Sequence, residues 1–312
     1  MNFDFETSRI DFVKHRKKFF IFSGSFLLIG IILLATLGLN LGIDFRAGTT
    51  IDVLAEDNIS AAEINSQFEE IGYTPDEITI VGDASDTGRV QFIGDLNQQQ
   101  TLEIQNYFEE LYGSTPNVST VTPIVGEELA RNAIISVLIA AVGIIIYVTI
   151  RFEFLYALAA VAALAHDALF ILIFFSMTQL EVNVPFIAAV LTIVGYSIND
   201  TIVTFDRIRE NLALEKKVSK FKDLADVVNK SLIQTLARSI NTVLTVVFAA
   251  AALVVFGGEG LRVFSIALVV GLLAGTYSSL FIASQLWLEM KNRQVKKREQ
   301  KKLEEQEQPS EA

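Results

Sequence analysis

Residues 194–211 read VGYSINDTIVTFDRIREN, a run that begins as a membrane segment and ends as a charged surface. Near its middle stand Asn199 and Asp200, with apolar residues on both sides. An ionised side chain at mid-bilayer costs at least about 2.5–3.5 kcal/mol on insertion scales, so such a group faces protein or water. Thr192, Tyr196, Ser197, Asp200 and Thr204 recur at spacings of three and four, which places them on one helical stripe. Arg238, Asn241, Thr242 and Thr245 recur the same way in the next apolar segment. Two successive spans thus present polar stripes, one with an acid and one with a base, and Arg238 is expected to reach Asp200. Burial opposes charge on the acid while a guanidinium favours it, so small changes of geometry could switch its protonation. Arginine itself does not titrate. The expected chemistry is proton exchange inside the membrane at Asp200, with Arg238 and Asn199 beside it. One charge moved through 100 mV is worth about 2.3 kcal/mol, enough to bias a conformational equilibrium. The competing expectation is a static Asp–Arg pair that fixes helix register. His166 and Asp167 form a second intramembrane pair, ranked lower because no stripe of polar partners surrounds it. With Asn241 and Thr242 it is a secondary polar site, able to join a relay or to bridge helices.

The elements that must position these residues follow from composition. Half of the 312 residues are hydrophobic and mean hydropathy is +0.44, values a soluble domain rarely reaches. Six apolar runs fit the length needed to cross hydrocarbon, at about 19–39, 132–150, 154–176, 184–204, 232–256 and 262–288. The first follows a basic stretch and is longer than a signal-peptide core, with no small-residue cleavage site after it, so a retained span is expected. Small residues at 157–165 and 271–275 point to close helix packing. Lys and Arg crowd the N-terminus, the 207–238 segment and the tail, with Arg151 in the tight turn after the second span, and are scarce in the other connections apart from Arg262. The positive-inside rule therefore places both termini in the cytoplasm. The expected order is a cytoplasmic N-terminus (1–18), the first span (19–39), an extracytoplasmic domain (40–131) and spans two to six (132–290). A cytoplasmic amphipathic connector (206–231) lies along the membrane surface between the fourth and fifth spans. A charged tail (291–312) begins as a helical extension and ends disordered.

The outer segment is strongly acidic. Between residues 40 and 130 stand 17 acids and two basic residues, leaving +4 for the remainder of a chain whose total is −11. Nothing resembles a nucleic-acid footprint, which needs a concentrated basic face. Absence of cysteine excludes disulfides, thiol catalysis and lipid attachment through cysteine. GTTIDVLA (48–55) reads as a strand. SAAEINSQFEEIG (60–72) reads as a helix capped by Ser60 and Glu63. DEITIVG and GRVQFIG read as a hairpin. Residues 97–113 read as a second helix with Leu102, Ile104, Phe108 and Leu111 as its apolar side, and NVSTVTPIV as a closing strand. The order βαββαβ is the ferredoxin-like, split βαβ arrangement. No metal cluster, catalytic triad or phosphate loop is legible, so no cofactor and no bond-making enzyme are expected. A binding or force-transmitting module fits, as does a merely solvated acidic surface.

Three segments resemble the SecD/SecF family of protein-export membrane subunits, on its SecF side, within the resistance–nodulation–division superfamily. They are GIDFRAGT (42–49), the 194–211 stretch and QTLARSINTVLTV (234–246). The likeness covers nearly the whole chain, and the second segment is quite specific. The first signature rests on Gly42, Asp44, Phe45, Arg46, Gly48 and Thr49. Ala47 takes the place of one glycine of the usual pair, a residue less tolerant of positive φ. The resemblance implies an auxiliary subunit of the Sec translocase in a bacterial-type cytoplasmic membrane. Such proteins pair with SecD in a pseudo-symmetric twelve-span unit, attach to the SecYEG channel, often with YajC, and promote late-stage export. They use the proton-motive force to move outer domains and draw the polypeptide outward. The family's membrane carboxylate falls on Asp200 and its arginine on Arg238, while a further carboxylate belongs to SecD and is absent here. Some relatives use sodium, and the residues here fit either ion. Partners implied are SecD, SecYEG, YajC, the translocating polypeptide and membrane lipids, with no nucleic acid. Two other classes compete: a scaffold that stabilises the translocon without ion coupling, and half of a small-molecule exporter. A single ninety-residue outer domain speaks against the exporter.

Overall fold

A computed structural model describes residues 11–307, apart from 43, 46, 47, 56, 57, 83–85, 95, 122 and 216–219. Arg46 and Ala47 of the first signature, the first ten residues and the last five lie outside the described residues. The first helix is α1 (Arg16–Leu37), largely apolar after its basic first turn and stopped at Gly38, whose φ of 70° suits glycine. Next comes the small domain, in the order β1 (Gly48–Leu54), α2 (Ala61–Glu70), β2 (Glu77–Val81), β3 (Thr87–Ile93), α3 (Gln98–Tyr112) and β4 (Asn117–Val121). Its four strands pair antiparallel in the order β2-β3-β1-β4, which is the split βαβ topology expected from the sequence.

Strand alternation drives one sheet face into a core of Ile51, Val53, Val90 and Phe92, which meets Ile64 and Phe68 of α2 and Ile104 and Phe108 of α3. Burying an aromatic side chain of this kind contributes about 1.5–3 kcal/mol. Ser60 Oγ accepts from the Glu63 N–H at 3.2 Å, whereas the reciprocal capping pair is made by Asn97 and Gln100 at the start of α3. Leu102 and Leu111, expected on the apolar side of α3, are half exposed. The inward stripe is narrower than the residue types suggested because only two positions, 104 and 108, face the sheet. The closing strand is also shorter than expected, since a helix takes over at Pro123.

The remaining helices are α4 (Pro123–Arg151), α5 (Phe154–Thr178), α6 (Val184–Leu214), α7 (Phe221–Phe256), α8 (Glu259–Ser278) and α9 (Ser284–Glu307). A π-helical segment (Ser279–Ala283) joins α8 to α9, so the two form one rod. With α1, the molecule has six helices long and apolar enough to cross a membrane, and it is a multi-pass membrane protein. The α8–α9 rod is the most buried and α4 the least, with Ile134, Leu138, Ile139 and Ile146 turned outward as a lipid-facing helix requires. Two helix–helix contacts rest on small residues. A Cβ on Gly271 would collide with the Ile193 side chain, and one on Gly275 would come within 3.1 Å of Ser197 Cβ, so α6 and α8 pack nearly backbone to backbone. The 206–231 segment differs from the expected surface-lying connector. Its described residues up to Leu214 continue α6 and those from Phe221 begin α7, two helices that run on past their apolar parts. Asn211 ties them together, donating to Ser231 Oγ at 2.8 Å and to Gln234 Oε1 at 2.9 Å.

Candidate functional site

Asp200 lies on α6, four and a half turns from the helix start, half buried against α7. Its Oδ1 accepts from Ser239 Oγ at 2.5 Å. Its Oδ2 is buried and has no hydrogen-bond partner among the described residues. No ion pair within 4 Å joins Arg238 to Asp200 among those residues. Instead both line a cavity of about 60 Å³, together with Tyr196, Asn199 and Thr242. That volume admits water, and the wall offers the polar partners water needs. Arg238 and Val203 also line a second, open cleft of about 700 Å³, whose other walls include Asp206, Arg207, Glu210 and Gln234. The two cavities therefore share Val203 and Arg238 as walls. Arg207 and Arg209 at the cleft rim are engaged locally, with Glu210 at 2.8 Å and Asp206 at 2.7 Å.

The polar stripe is open on its outer side. Tyr196, Asn199, Arg238, Asn241 and Thr242 are all exposed in the isolated chain, although they belong to membrane-spanning helices. Lipid solvates none of these groups, so the stripe needs either water or a covering protein. Thr245 turns its hydroxyl back onto the Thr242 carbonyl at 2.8 Å, the usual way a helix satisfies threonine.

The second pair has far more company than its sequence neighbourhood suggested. Asp167 is 1% exposed, and its carboxylate meets His166 Nδ1 at 3.2 Å, Ser197 Oγ at 2.5 Å and Ser278 Oγ at 2.8 Å. From there hydroxyls continue. Ser279 Oγ donates to the Ser197 carbonyl at 3.2 Å and pairs with Thr201 Oγ1 at 2.8 Å. Polar partners do surround Asp167, unlike the expectation from its local pattern: they come from α6 and from the α8–π junction, remote in sequence. The π segment sits at this network. Within it the Ser279 carbonyl accepts from Ser284 Oγ at 3.1 Å.

Sequence reasoning missed Ser239, Ser278 and Ser279. Ser239 is adjacent to Arg238 and so falls off the stripe drawn through 238, 241, 242 and 245. The serines of YSSLFIAS (277–284) did carry a signal, being a hydroxyl cluster in an otherwise apolar span. In the first signature, Gly42, Asp44 and Phe45 lie against the α5–α6 turn. Gly48 and Thr49 open β1, where a Cβ on Gly48 would strike the Phe92 carbonyl. Thr49 Oγ1 pairs with Thr120 Oγ1 and accepts from the Leu96 N–H, both at 3.2 Å.

Comparison with known proteins agrees with this architecture. Residues 103–293 match the family model described as protein export membrane protein SecD/SecF, C-terminal, and residues 32–59 match the SecD/SecF GG motif. The protein translocase subunit SecF of Alicyclobacillus acidocaldarius is 41% identical, over 93% of this chain and 95% of that one. The protein translocase subunit SecDF of Bacillus subtilis is 53% identical over 92% of this chain, which spans only 39% of that longer protein. The crystal structure of SecDF from Thermus thermophilus, described as a translocon-associated membrane protein, superposes with a TM-score of 0.83 at 34% identity. It covers 94% of this chain and 40% of that one. SecDF in a super-membrane-facing form superposes less closely, with a TM-score of 0.69. With its membrane motifs, its small sheet domain and these matches in agreement, the chain belongs to the SecD/SecF family of protein export membrane proteins.

Proposed function

We propose that this chain is the six-span half of a protein translocase unit that uses the proton-motive force to promote late-stage export. Its relatives are named as translocase subunits, which favours a transport role over bond-making catalysis. The observation that carries the proton reading is Asp200 Oδ2, a buried carboxylate oxygen without a partner among the described residues, in a region whose cavity shares Arg238 as a wall with an open cleft. Protonation at that oxygen would change the charge beside Arg238 without breaking the Ser239 bond on the other oxygen. Water in the cleft supplies the proton from the side of the charged helix ends, which the distribution of Lys and Arg makes the cytoplasm. Both termini then lie in the cytoplasm and the acidic sheet domain outside, in a bacterial cytoplasmic membrane.

The exposed stripe of Asn199, Arg238 and Asn241 supports a paired working form. A second six-span unit of SecD type, covering the stripe and presenting a carboxylate to Arg238, would complete the relay. The same resemblance carries attachment to SecYEG, with YajC, and contact of the outer domain with the translocating polypeptide.

The test uses membrane vesicles with an imposed gradient. Asp200→Asn and Arg238→Met should each assemble normally with the partner and lose gradient-dependent stimulation of export. The loss expected is about tenfold or more, the scale of a coupling energy. Undiminished export in both variants would leave the scaffold as the correct description.

A further inference from the structure

The first signature has no role in the site above, yet the structure gives Gly42, Asp44 and Phe45 a definite position. The linker leaving α1 runs alongside the α5–α6 turn as a short parallel strand, with Leu41 bridged to Val182. Val182 N donates to the Asn40 carbonyl at 2.7 Å, and Gly42 N donates to the Val182 carbonyl at 2.8 Å. Two side chains reinforce the contact: Ser176 Oγ donates to the Gly38 carbonyl at 2.7 Å, and Asn40 Nδ2 to the Gln179 carbonyl at 3.2 Å. A Cβ on Gly42 would meet Glu181 Oε1, the far end of a flexible side chain that can swing aside. Leu39, Leu41 and Phe45 pack into the apolar cluster of Val182, Phe186 and Val190.

Asp44 completes the joint. Its Oδ2 accepts the Val184 N–H at 2.9 Å, at the first residue of α6. The opening donors of that helix are then accounted for. Val184 is taken by Asp44, Pro185 has no N–H, and Phe186 is taken by Asn183 Oδ1 at 3.1 Å. The negative side chain also suits the positive end of the helix dipole. Sixteen residues further along the same helix stands Asp200, about 24 Å away along the axis. Three residues after Phe45, β1 of the outer domain begins.

We infer that Asp44 is a positioning residue that fixes the outer domain's leading strand to the N-terminus of α6, so that movement of the helix bearing Asp200 is passed to the sheet. This rests on the proton-driven reading given above and assigns the signature its part in it. The joint stays closed through the cycle and acts as a rigid connection, while proton exchange at Asp200 proceeds without it.

The test uses the full chain with its paired subunit in vesicles, reading export and proton uptake separately. Asp44→Ala should lower gradient-driven export by about tenfold, within the usual span of coupling between sites, while proton uptake persists. The chain has no cysteine, so Leu41→Cys with Val182→Cys introduces the only two thiols. Paired strands lie about 5 Å apart, inside the reach of a disulfide. Oxidation of this pair should restore export to Asp44→Ala and leave export of the otherwise native chain unchanged. Native export by Asp44→Ala would overturn the proposal, as would arrest of the otherwise native chain on oxidation, because the joint would then have to open. Should Asp44→Ala fail to accumulate, its oxidised double-cysteine form decides: recovered export supports the joint, and folded but inactive protein refutes it. Asp200→Asn run in parallel separates the two claims. Normal export there removes the proton reading, whereas loss of export there with no effect at Asp44 removes only the joint.

Discussion

Two carboxylates of the helical bundle meet at α6, Asp167 fully buried and Asp200 half buried, and they are housed differently. Asp167 has three donors, from its neighbour His166, from Ser197 of α6 and from Ser278 of α8. Asp200 has one, from Ser239 of α7, and leaves an oxygen bare on a cavity wall. The first arrangement ties three helices together at a fixed register. The second leaves an atom available. Under the proposed reading the same side chain serves as a clamp at Asp167 and as an exchange point at Asp200, and the count of donors around it separates the roles.

That contrast can be broken by stability measurements. Asp167→Ala strands His166, Ser197 and Ser278 in a dry interior and should cost about 3–5 kcal/mol, the scale for removing one member of a buried pair. Asp200→Ala should cost about 1 kcal/mol, since a single hydrogen bond is lost beside a cavity. Thermal or denaturant unfolding in detergent measures both, and equal losses would remove the distinction. A smaller effect sharpens it. Ser239→Ala should cost about 1 kcal/mol and also displace the pH profile of gradient-driven export, because it removes the only donor on Asp200 among the described residues. Ser197→Ala should cost a similar amount with the pH profile unmoved.

The smallest expected effect concerns the outer domain, where acids meet water instead of lipid. Tyr73 donates to Glu103 at 3.0 Å and Tyr107 to Glu70 at 2.9 Å, fastening α2 and its following turn to α3. Partial burial, and then the neighbouring carboxylates, push both phenols above their ordinary value. A raised folded value means stability that is complete below the ordinary tyrosine range and lost as pH rises through the folded one. Amide exchange in α2 and α3 should therefore quicken above that range, and less so in a Tyr73→Phe, Tyr107→Phe chain. An identical alkaline response in that chain would refute the assignment.

Much of this architecture was legible because it is local. The six spans follow from length and hydropathy, and the βαββαβ order from alternation and caps. The stripe through Asp200 follows from spacings of three and four. What stayed hidden depends on contacts between distant segments. Ser197 and Ser278 reach Asp167 across 30 and 111 residues, and no periodicity within α5 announces them. Ser239 was hidden by the stripe itself, being one residue out of phase. The 206–231 segment misled because its charged, helical pattern fits equally a surface helix and two long helices emerging from the membrane. Leu102 and Leu111 misled because residue type predicts burial only where a partner surface exists.

The π segment at Ser279–Ala283 has a geometric consequence for the whole rod. Relative to an uninterrupted α-helix, one additional residue turns everything beyond it by about 100°. That turn points Trp287 at the Tyr156 ring, with centroids 4.7 Å apart, and buries Leu288 beside it. Deleting Ala283 would restore regular winding and swing this aromatic anchor toward the bilayer. The rod's two halves are thus phased independently: one faces Asp167 with its serines, and the other seals the far end of the bundle with its indole.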